Sequence, residues 1–225
     1  MKVAIMTPIR HGTVHHEFTE SLAATWRGIK NMDLAWFKVI GCSILPDARS
    51  MCVAQALSWG ADKLIFIDDD ISWSVADFCF LTNHKVPICT GAYATRKSEG
   101  DEQTTVAVQF LDDQNRKTDA RGLIEVKGAG FGFIRFDREV FDGLKDDCQP
   151  MWDEALPARV CEHYRDWFPY GTNFNVKKGR YHRSGEDVHF CHRARAAGFK
   201  TYLDPAIQLG HHSVNEVYRA NLLKG

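Results

Sequence analysis

The sequence has no internal repeat, no low-complexity segment and no apolar run that approaches the length of a membrane span. Its 225 residues, 44% hydrophobic and 25% charged, have the composition of a folded globular protein with a full core, which argues against disorder. No linker divides the chain, so we interpret residues 1–225 as one domain. The first apolar run reaches Thr7-Pro8 too soon for a secretory signal, and we expect none.

The chain also lacks an excess of charge, since 28 Lys and Arg residues face 29 Asp and Glu residues. This balance argues against binding of nucleic acid by bulk electrostatics, although the net charge would not reveal a local basic patch. The seven cysteines include no CxxC pair, and an odd number cannot all pair internally. We therefore expect reduced thiols and a cytoplasmic protein.

The most informative stretch is the apolar run Lys63–Ile67, which ends in Asp68, Asp69 and Asp70. Such a run is typical of a strand buried on both faces at the centre of a parallel sheet. The carboxyl end of such a strand is where ligands bind in open α/β sheets. Alternation along the chain lets Asp68 and Asp70 share one hard cation. An acidic turn that caps the next helix is the alternative, and the residues alone do not separate the two.

Around this stretch the first half of the chain alternates between strand and helix, which predicts a parallel, doubly wound α/β sheet. We expect strands at residues 2–6, 34–44, 63–67 and 86–91, and helices at residues 14–30, 47–57 and 74–84. Asp47 is the expected N-cap of the second helix, and Gly60 is its expected terminator.

The second half is less regular. We expect a loop at 96–103, an antiparallel pair at 104–111 and 123–127, a strand within 128–136, a helix at 137–144, a helix at 184–198 and a strand at 200–203. The glycines of 128–132 do not match a dinucleotide fingerprint, because a strand-like run follows them instead of a helix. Ser184 and Asp187 have the spacing of a capping box.

Four stretches in this order resemble the GT-A glycosyltransferases of the large family-two type. They are the first strand with Thr7-Pro8, the run ending in Asp68-Asp69-Asp70, residues 128–141, and residues 185–191 with the downstream Leu209-Gly210-His211. The resemblance covers most of the chain and implies a single GT-A domain: a mostly parallel sheet flanked by helices, with a small antiparallel addition. Residues 1–95 would form the nucleotide-binding half and residues 96–225 the acceptor-binding half.

The resemblance also implies roles for individual residues. A nucleotide-sugar donor would lie across the carboxyl ends of the first strands, its diphosphate bridged by Mn²⁺ or Mg²⁺. Asp68, Asp70 and His211 would hold the metal, with His212 an equally close neighbour. Thr7, Pro8, Arg10, Arg49, Asp68 and Asp69 would bind the donor. Asp187 would be the general base for the acceptor hydroxyl, with Glu186 in reserve, and residues 128–132 would line the acceptor side.

Two other functions remain open, a nucleotidyltransferase and a non-catalytic nucleotide-sugar-binding protein. The first is disfavoured because residues 7–12 contain only one glycine, too few for a triphosphate-binding loop.

The acceptor is expected to be soluble or macromolecular, since no membrane segment follows. It could be anionic, including nucleic acid, if two basic clusters border the cleft. These clusters are Arg96, Lys97, Arg116, Lys117 and Arg121, and Lys177, Lys178, Arg180, His182 and Arg183. Anomeric stereochemistry and oligomeric state are not predicted.

Overall fold

A computed structural model describes residues 1–95, 105–112, 116–175, 179–212 and 217–218 of the chain. Within them lie the helices α1 (His16–Gly28), α2 (Leu45–Trp59), α3 (Val75–Asn83), α4 (Arg138–Leu144), α5 (Ala158–Cys161) and α6 (Glu186–Ala196). The strands are β1 (Lys2–Ile9), β2 (Asp33–Ile40), β3 (Lys63–Ile67), β4 (Ile71–Ser72), β5 (Ile88–Gly91), β6 (Val108–Phe110), β7 (Ile124–Ala129), β8 (Phe133–Asp137), β9 (Gly171–Asn175), β10 (Arg180–Ser184), β11 (Thr201–Asp204), β12 (Gly210–His212) and β13 (Val217–Tyr218). A 3₁₀ turn, Lys145–Asp147, follows α4.

Eight strands form one mixed sheet in the order β2-β1-β3-β8-β5-β11-β7-β6. Helices cover both faces because successive side chains of a buried strand point to opposite sides. In β3, Leu64 and Phe66 pack in the cluster that contains residues of α2, α4 and α6, whereas Ile65 and Ile67 pack in the cluster that contains residues of α1 and α3. The continuous apolar run of β3 is therefore explained by burial on both faces, and the predicted α/β class is confirmed.

The prediction of a mostly parallel sheet was wrong, because four of the seven strand pairs in the sheet are antiparallel. The pairs β1–β2 and β1–β3 are parallel, as expected for the first half of the chain, and β5 pairs in parallel with β11 from the second half. However, β8 lies antiparallel between β3 and β5 at the centre of the sheet, and the antiparallel pair β6–β7 extends it at the edge. Local patterning predicted a strand within 128–136 but could not predict its partners, because pairing is decided by contacts with residues more than 40 positions away.

Several predicted boundaries were wrong. The strand predicted at 34–44 ends at Ile40, and α2 begins at Leu45 with Pro46 in its first turn, so Asp47 is not the N-cap. Proline suits this position because its fixed φ is already helical and its missing N–H would have had no partner. Gly60 ends α2 with φ 83°, as predicted for the terminator of this helix.

The capping box was predicted at the wrong helix. Gly185 is the N-cap of α6 and no side chain caps that helix, so Ser184 and Asp187 do not form the predicted box. A capping box instead begins α3, where Ser74 and Asp77 bond to each other's backbone N–H groups. The acidic triplet therefore does not cap α3, which removes the main structural alternative for Asp68, Asp69 and Asp70.

The predicted loop 96–103 lies outside the described residues, as does Thr104. All seven cysteines are unpaired thiols, and five of them are buried. Within the described residues, no helix combines the length and apolar character that a membrane span requires.

Candidate active site

The acidic triplet forms a tight turn at the carboxyl end of β3. Asp68 N–H donates to the carbonyl of Gly132, and Ile71 N–H donates back to the carbonyl of Asp68 at 3.2 Å. The chain then enters the short strand β4, which pairs antiparallel with β12 so that His211 lies opposite Ile71. This pairing brings a segment 140 residues further along the chain to the side of Asp70.

A cleft with a cavity volume of ≈ 410 Å³ opens over this turn. Its lining includes seven of the residues predicted from sequence: Pro8, Arg10, Arg49, Asp68, Asp69, Asp70 and His211. Its volume lies within the range of small-molecule sites in proteins, about 300–1,000 Å³. The structure therefore brings most of the predicted donor and metal residues together in one cleft.

His211 faces the acidic turn in a defined orientation. Its Nδ1 lies 2.7 Å from the carbonyl oxygen of Ala94, which can only accept, so Nδ1 carries the proton. Its Nε2 lies 3.3 Å from Oδ2 of Asp70. This backbone bond is the arrangement that holds a metal-binding imidazole with Nε2 towards the metal.

His212 has a different role. Its side chain is buried on the opposite side of β12, where Nε2 lies 2.7 Å from Ser72 Oγ and Nδ1 lies 3.4 Å from Glu17 Oε1. Its backbone N–H contacts the acidic turn, donating to the carbonyl of Asp70 at 2.8 Å. Of the two candidate histidines, the structure therefore places His211 towards the cleft.

Arg49 is the central cation of the cleft. It lies in the second turn of α2, is only 3% exposed, and stacks over the rings of Phe131 and Phe66 at 5.0 and 5.5 Å. Its Nη2 lies 3.4 Å from Asp68 Oδ1, and its Nε lies 3.9 Å from Glu186 Oε1. Neither Nε nor Nη1 makes a hydrogen bond within the part of the chain that the structure describes, although both atoms are buried. Such donors cost free energy unless a ligand satisfies them.

The acidic groups around Arg49 perturb one another. Burial raises the pKa of Asp68, the Arg49 charge partly offsets this, and the charges of Asp70 and Asp187 raise the pKa further. Burial together with the charges of Asp70 and Asp68 raises the pKa of Asp69 to about 6. This concentration of negative charge favours binding of a cation.

Glu186 and Asp187 begin α6 beside the cleft without being part of its lining. Glu186 is 7% exposed and points to Arg49, and burial raises the pKa of its carboxyl while Arg49 partly offsets the shift. Asp187 is half-buried, and its Oδ1 accepts a hydrogen bond from Val188 N–H at 2.7 Å. Asp187 is near enough to Asp68 to raise the pKa of that carboxyl, so α6 faces the acidic turn.

Thr7 is the predicted donor contact that the structure does not place in the cleft. It is fully buried, and its Oγ1 accepts a hydrogen bond from Trp36 Nε1 at 3.0 Å. The reason is that β1 extends to Ile9, beyond the predicted end of the strand, and carries Thr7 into the sheet.

Sequence reasoning missed Tyr93, which follows the carboxyl end of β5 and lines the cleft. Its ring meets His211 edge to face at 5.4 Å, and its hydroxyl accepts a hydrogen bond from Gly132 N–H at 3.2 Å. A Cβ on Gly132 would lie 2.6 Å from Tyr93 Cζ, and a Cβ on Gly130 would collide with its hydroxyl. The space that we predicted for the acceptor at Gly130 and Gly132 is therefore filled by Tyr93. Its place at the end of a parallel strand was a signal that could have identified it.

His11, Cys42 and Ser43 also line the cleft and were not predicted, because they lie in loops after β1 and β2 that carry no motif.

The donor set fits a hard divalent cation that completes its shell with substrate oxygens. In the described ranges, no three His, Cys, Asp or Glu side chains form a ready-made metal cage. Mg²⁺ usually binds through one or two carboxylates together with water and substrate phosphates, so a complete protein cage is not required. Asp70 and the oriented Nε2 of His211, with Asp68 beside them, would supply such a partial shell.

The fold and the cleft define an α/β protein with an acidic ligand cleft, containing one buried arginine, at the carboxyl ends of β1 and β3. A scan against protein-family models matches none of them, and a search of curated proteins finds no significant match.

Proposed function

We propose that the protein is a metal-dependent glycosyltransferase that moves a sugar from a nucleotide-sugar donor to an acceptor hydroxyl. One observation supports this proposal above the others: Asp68, Asp70, His211 and the buried Arg49 meet in a single cleft at the carboxyl ends of parallel strands. Such a site provides carboxylates that can bind a divalent metal ion and an arginine that can pair with phosphate oxygens. A nucleotide diphosphate requires both of its site.

The donor diphosphate would bind between Arg49 and the acidic turn. Among the described residues, Nε and Nη1 of Arg49 are buried donors without a hydrogen bond, and a guanidinium binds two phosphate oxygens at once. Arg10, exposed at the border of the cleft, adds a second positive charge, and Pro8 and Asp69 complete the wall on that side.

Asp68, Asp70 and His211 would hold Mn²⁺ or Mg²⁺. The bound cation would act as a Lewis acid that neutralises the charge developing on the leaving diphosphate. The fixed Nδ1–H bond of His211 to Ala94 keeps the opposite nitrogen directed at Asp70 for this purpose.

Asp187 would take the proton of the acceptor hydroxyl. The hydroxyl oxygen forms a bond to the anomeric carbon, the bond from that carbon to the diphosphate oxygen breaks, and the proton passes to the carboxylate. Asp187 suits this role better than Glu186, because Glu186 is buried against Arg49 whereas Asp187 is half-exposed. Glu186 instead positions Arg49 for the phosphates.

Thermal unfolding with a panel of nucleotide sugars, with and without Mn²⁺, tests donor binding. A ligand at one hundred times its Kd stabilises the folded state by about 2.7 kcal/mol, which raises the Tm of a chain of this size by about 5–11 °C. We expect this shift only when both the sugar nucleotide and Mn²⁺ are present. Asp70→Asn should lose the shift, whereas the exposed control Asp146→Asn should keep it. An equal shift in both variants would refute the metal site.

Transfer is tested separately. Asp187→Asn should keep the donor-induced shift in Tm but lower the rate of sugar transfer or donor hydrolysis by about 10²–10⁴-fold. A wild-type rate in this variant would remove Asp187 as the base. Release of pyrophosphate from nucleoside triphosphates, without turnover of nucleotide sugars, would instead support the nucleotidyltransferase alternative.

A further inference from the structure

The segment just before α6 concentrates positive charge. Residues 167–185 contain four of the 28 Lys and Arg residues of the chain and none of its 29 Asp and Glu residues, although the whole chain has a net charge of −1. Within this segment β9 and β10 pair as an antiparallel hairpin, with Gly171 opposite Ser184 and Thr172 opposite Arg183. The described part of the basic segment is therefore a folded element attached directly to the start of α6.

The two faces of this hairpin differ. Gly171 and its partner Ser184 are buried, and a Cβ at Gly171 would collide with the His189 ring, so this face packs closely on α6. Residues an odd number of positions from Gly171 along β9, or from Ser184 along β10, point the other way. Of these, Tyr181 is 72% exposed, and Arg183 and Thr172 are also exposed.

The outer face combines aromatic rings with guanidinium groups. Tyr170 precedes β9, is 50% exposed, and lies under the Arg183 guanidinium, which is 5.4 Å from its ring centroid. Arg180, at the start of β10, does not share the parity of the outer face, but its side chain is exposed as well. Exposed rings with arginines beside them suit a flexible polyanion whose bases stack and whose phosphates pair with the cations.

We propose that the outer-face residues Tyr170, Tyr181 and Arg183, together with the exposed Arg180 at the start of β10, bind a single-stranded nucleic acid and present it to the cleft as the acceptor. Only Gly185 separates β10 from Glu186 and Asp187, so a strand bound on the hairpin lies beside the start of α6. The role of this strand as an acceptor rests on the proposed glycosyltransferase function, because it must carry the hydroxyl that attacks the donor. Binding itself needs neither donor nor metal.

Single-stranded nucleic acid fits this surface better than an acidic polysaccharide or a duplex. Every base has a flat π face that can stack on Tyr170 or Tyr181, whereas a saccharide ring has no such planar face. The bases of a duplex are already stacked on one another and are not available to these rings. A contribution of the tyrosines to binding of a single strand but not of a duplex therefore distinguishes these two ligands.

The test is fluorescence anisotropy with a labelled oligothymidylate of about 20 nucleotides, titrated without nucleotide sugar or metal between about 50 and 200 mM salt. Tyr181→Ala and Tyr170→Ala should each weaken binding about 5- to 150-fold with no change in the salt dependence. The slope of log K against log salt is negative, and Arg180→Ala combined with Arg183→Ala should reduce its magnitude by about 1.4.

Matched variants control for general effects of charge and of aromatic area. Arg27→Ala with Lys30→Ala removes two exposed positive charges near the end of α1 and should leave affinity and slope unchanged. Tyr181→Phe keeps the ring and should keep the affinity, which separates stacking from folding defects. Circular dichroism of every variant verifies that the hairpin changes do not unfold the protein.

Some results would overturn the binding surface, and another would overturn only the glycosyltransferase proposal. No salt-dependent binding, or equal losses in the Arg27 and Lys30 control, would overturn the surface. Full dependence on the arginines with no effect of either tyrosine would also overturn it, because base stacking on the rings is part of the proposal. If the oligonucleotide binds as expected while no nucleotide sugar is turned over, the glycosyltransferase proposal fails and the surface stands.

Discussion

Arg135, at the centre of the sheet, is expected to be one of the most sensitive positions in the protein. It lies in β8 and is fully buried, and its guanidinium donates to the carbonyls of Leu81, His84 and Val86 at 3.2, 2.9 and 2.6 Å. It also donates to Asp137 Oδ1 at 2.6 Å. Leu81 lies in the last turn of α3 and His84 is its C-cap, so one side chain satisfies carbonyls that a helix end leaves without partners.

Arg135→Met would remove these donors while keeping much of the side-chain volume. Asp137 would keep Lys63 Nζ at 2.9 Å, so the main loss is at the three buried carbonyls. Loss of one member of a buried charged network costs about 3–5 kcal/mol. For a chain of this length each kcal/mol lowers the Tm by about 2–4 °C, so we expect a fall of about 8–16 °C for a loss near 4 kcal/mol.

Thermal and urea unfolding followed by circular dichroism would measure this change. Arg121→Met is the matched control, because Arg121 pairs with Asp119 on the surface, where solvent screens the pair, and its loss should leave the Tm nearly unchanged. Arg135→Lys should recover only part of the loss, since an ammonium cannot reproduce the planar fork. If Arg135→Met and Arg121→Met lowered the Tm equally, the view that Arg135 ties α3 to the sheet would be refuted.

Two further predictions concern the cleft wall and the dependence of stability on pH. Gly132→Ala should destabilise the fold by about 1–3 kcal/mol, because its Cβ would lie 2.6 Å from Tyr93 Cζ, and Gly132→Ala with Tyr93→Ala should cost less than the sum of the single changes in urea unfolding. Burial alone would raise the pKa of Glu125, but hydrogen bonds from Arg195 and Lys200 outweigh it, so its folded-state pKa is lowered. The stability from these bonds is present above the unfolded pKa and is lost as the pH falls through the folded one. Glu125→Gln should therefore cost up to about 1 kcal/mol at pH 7 and almost nothing near pH 3, and an equal cost at both values would contradict this assignment.

Much of the candidate site could be predicted because its signals are local. Lys63–Ile67 is apolar at every position after the first, and three carboxylates end it, so both the buried strand and the acidic turn follow from neighbouring residues. Arg49 could be predicted in the same way, because it lies near the start of a helix that follows a strand. Thr7 was misplaced because the end of a strand is not a local property: β1 continues past Pro8 alongside β2, which pairs with it over its whole length.

The sequence by itself determined the α/β alternation, the acidic end of β3 and the charge of the segment before α6, since these depend on hydrophobic period and on turn and charge patterns within a few residues. Tertiary structure alone decided that β8 enters the sheet antiparallel between β3 and β5, that Tyr93 fills the space beside Gly130 and Gly132, and that His211 and not His212 faces Asp70. The pairing of β4 with β12 joins segments about 140 residues apart and sets which histidine points to which side. No local pattern encodes that register, because it is selected by the packing of the whole sheet.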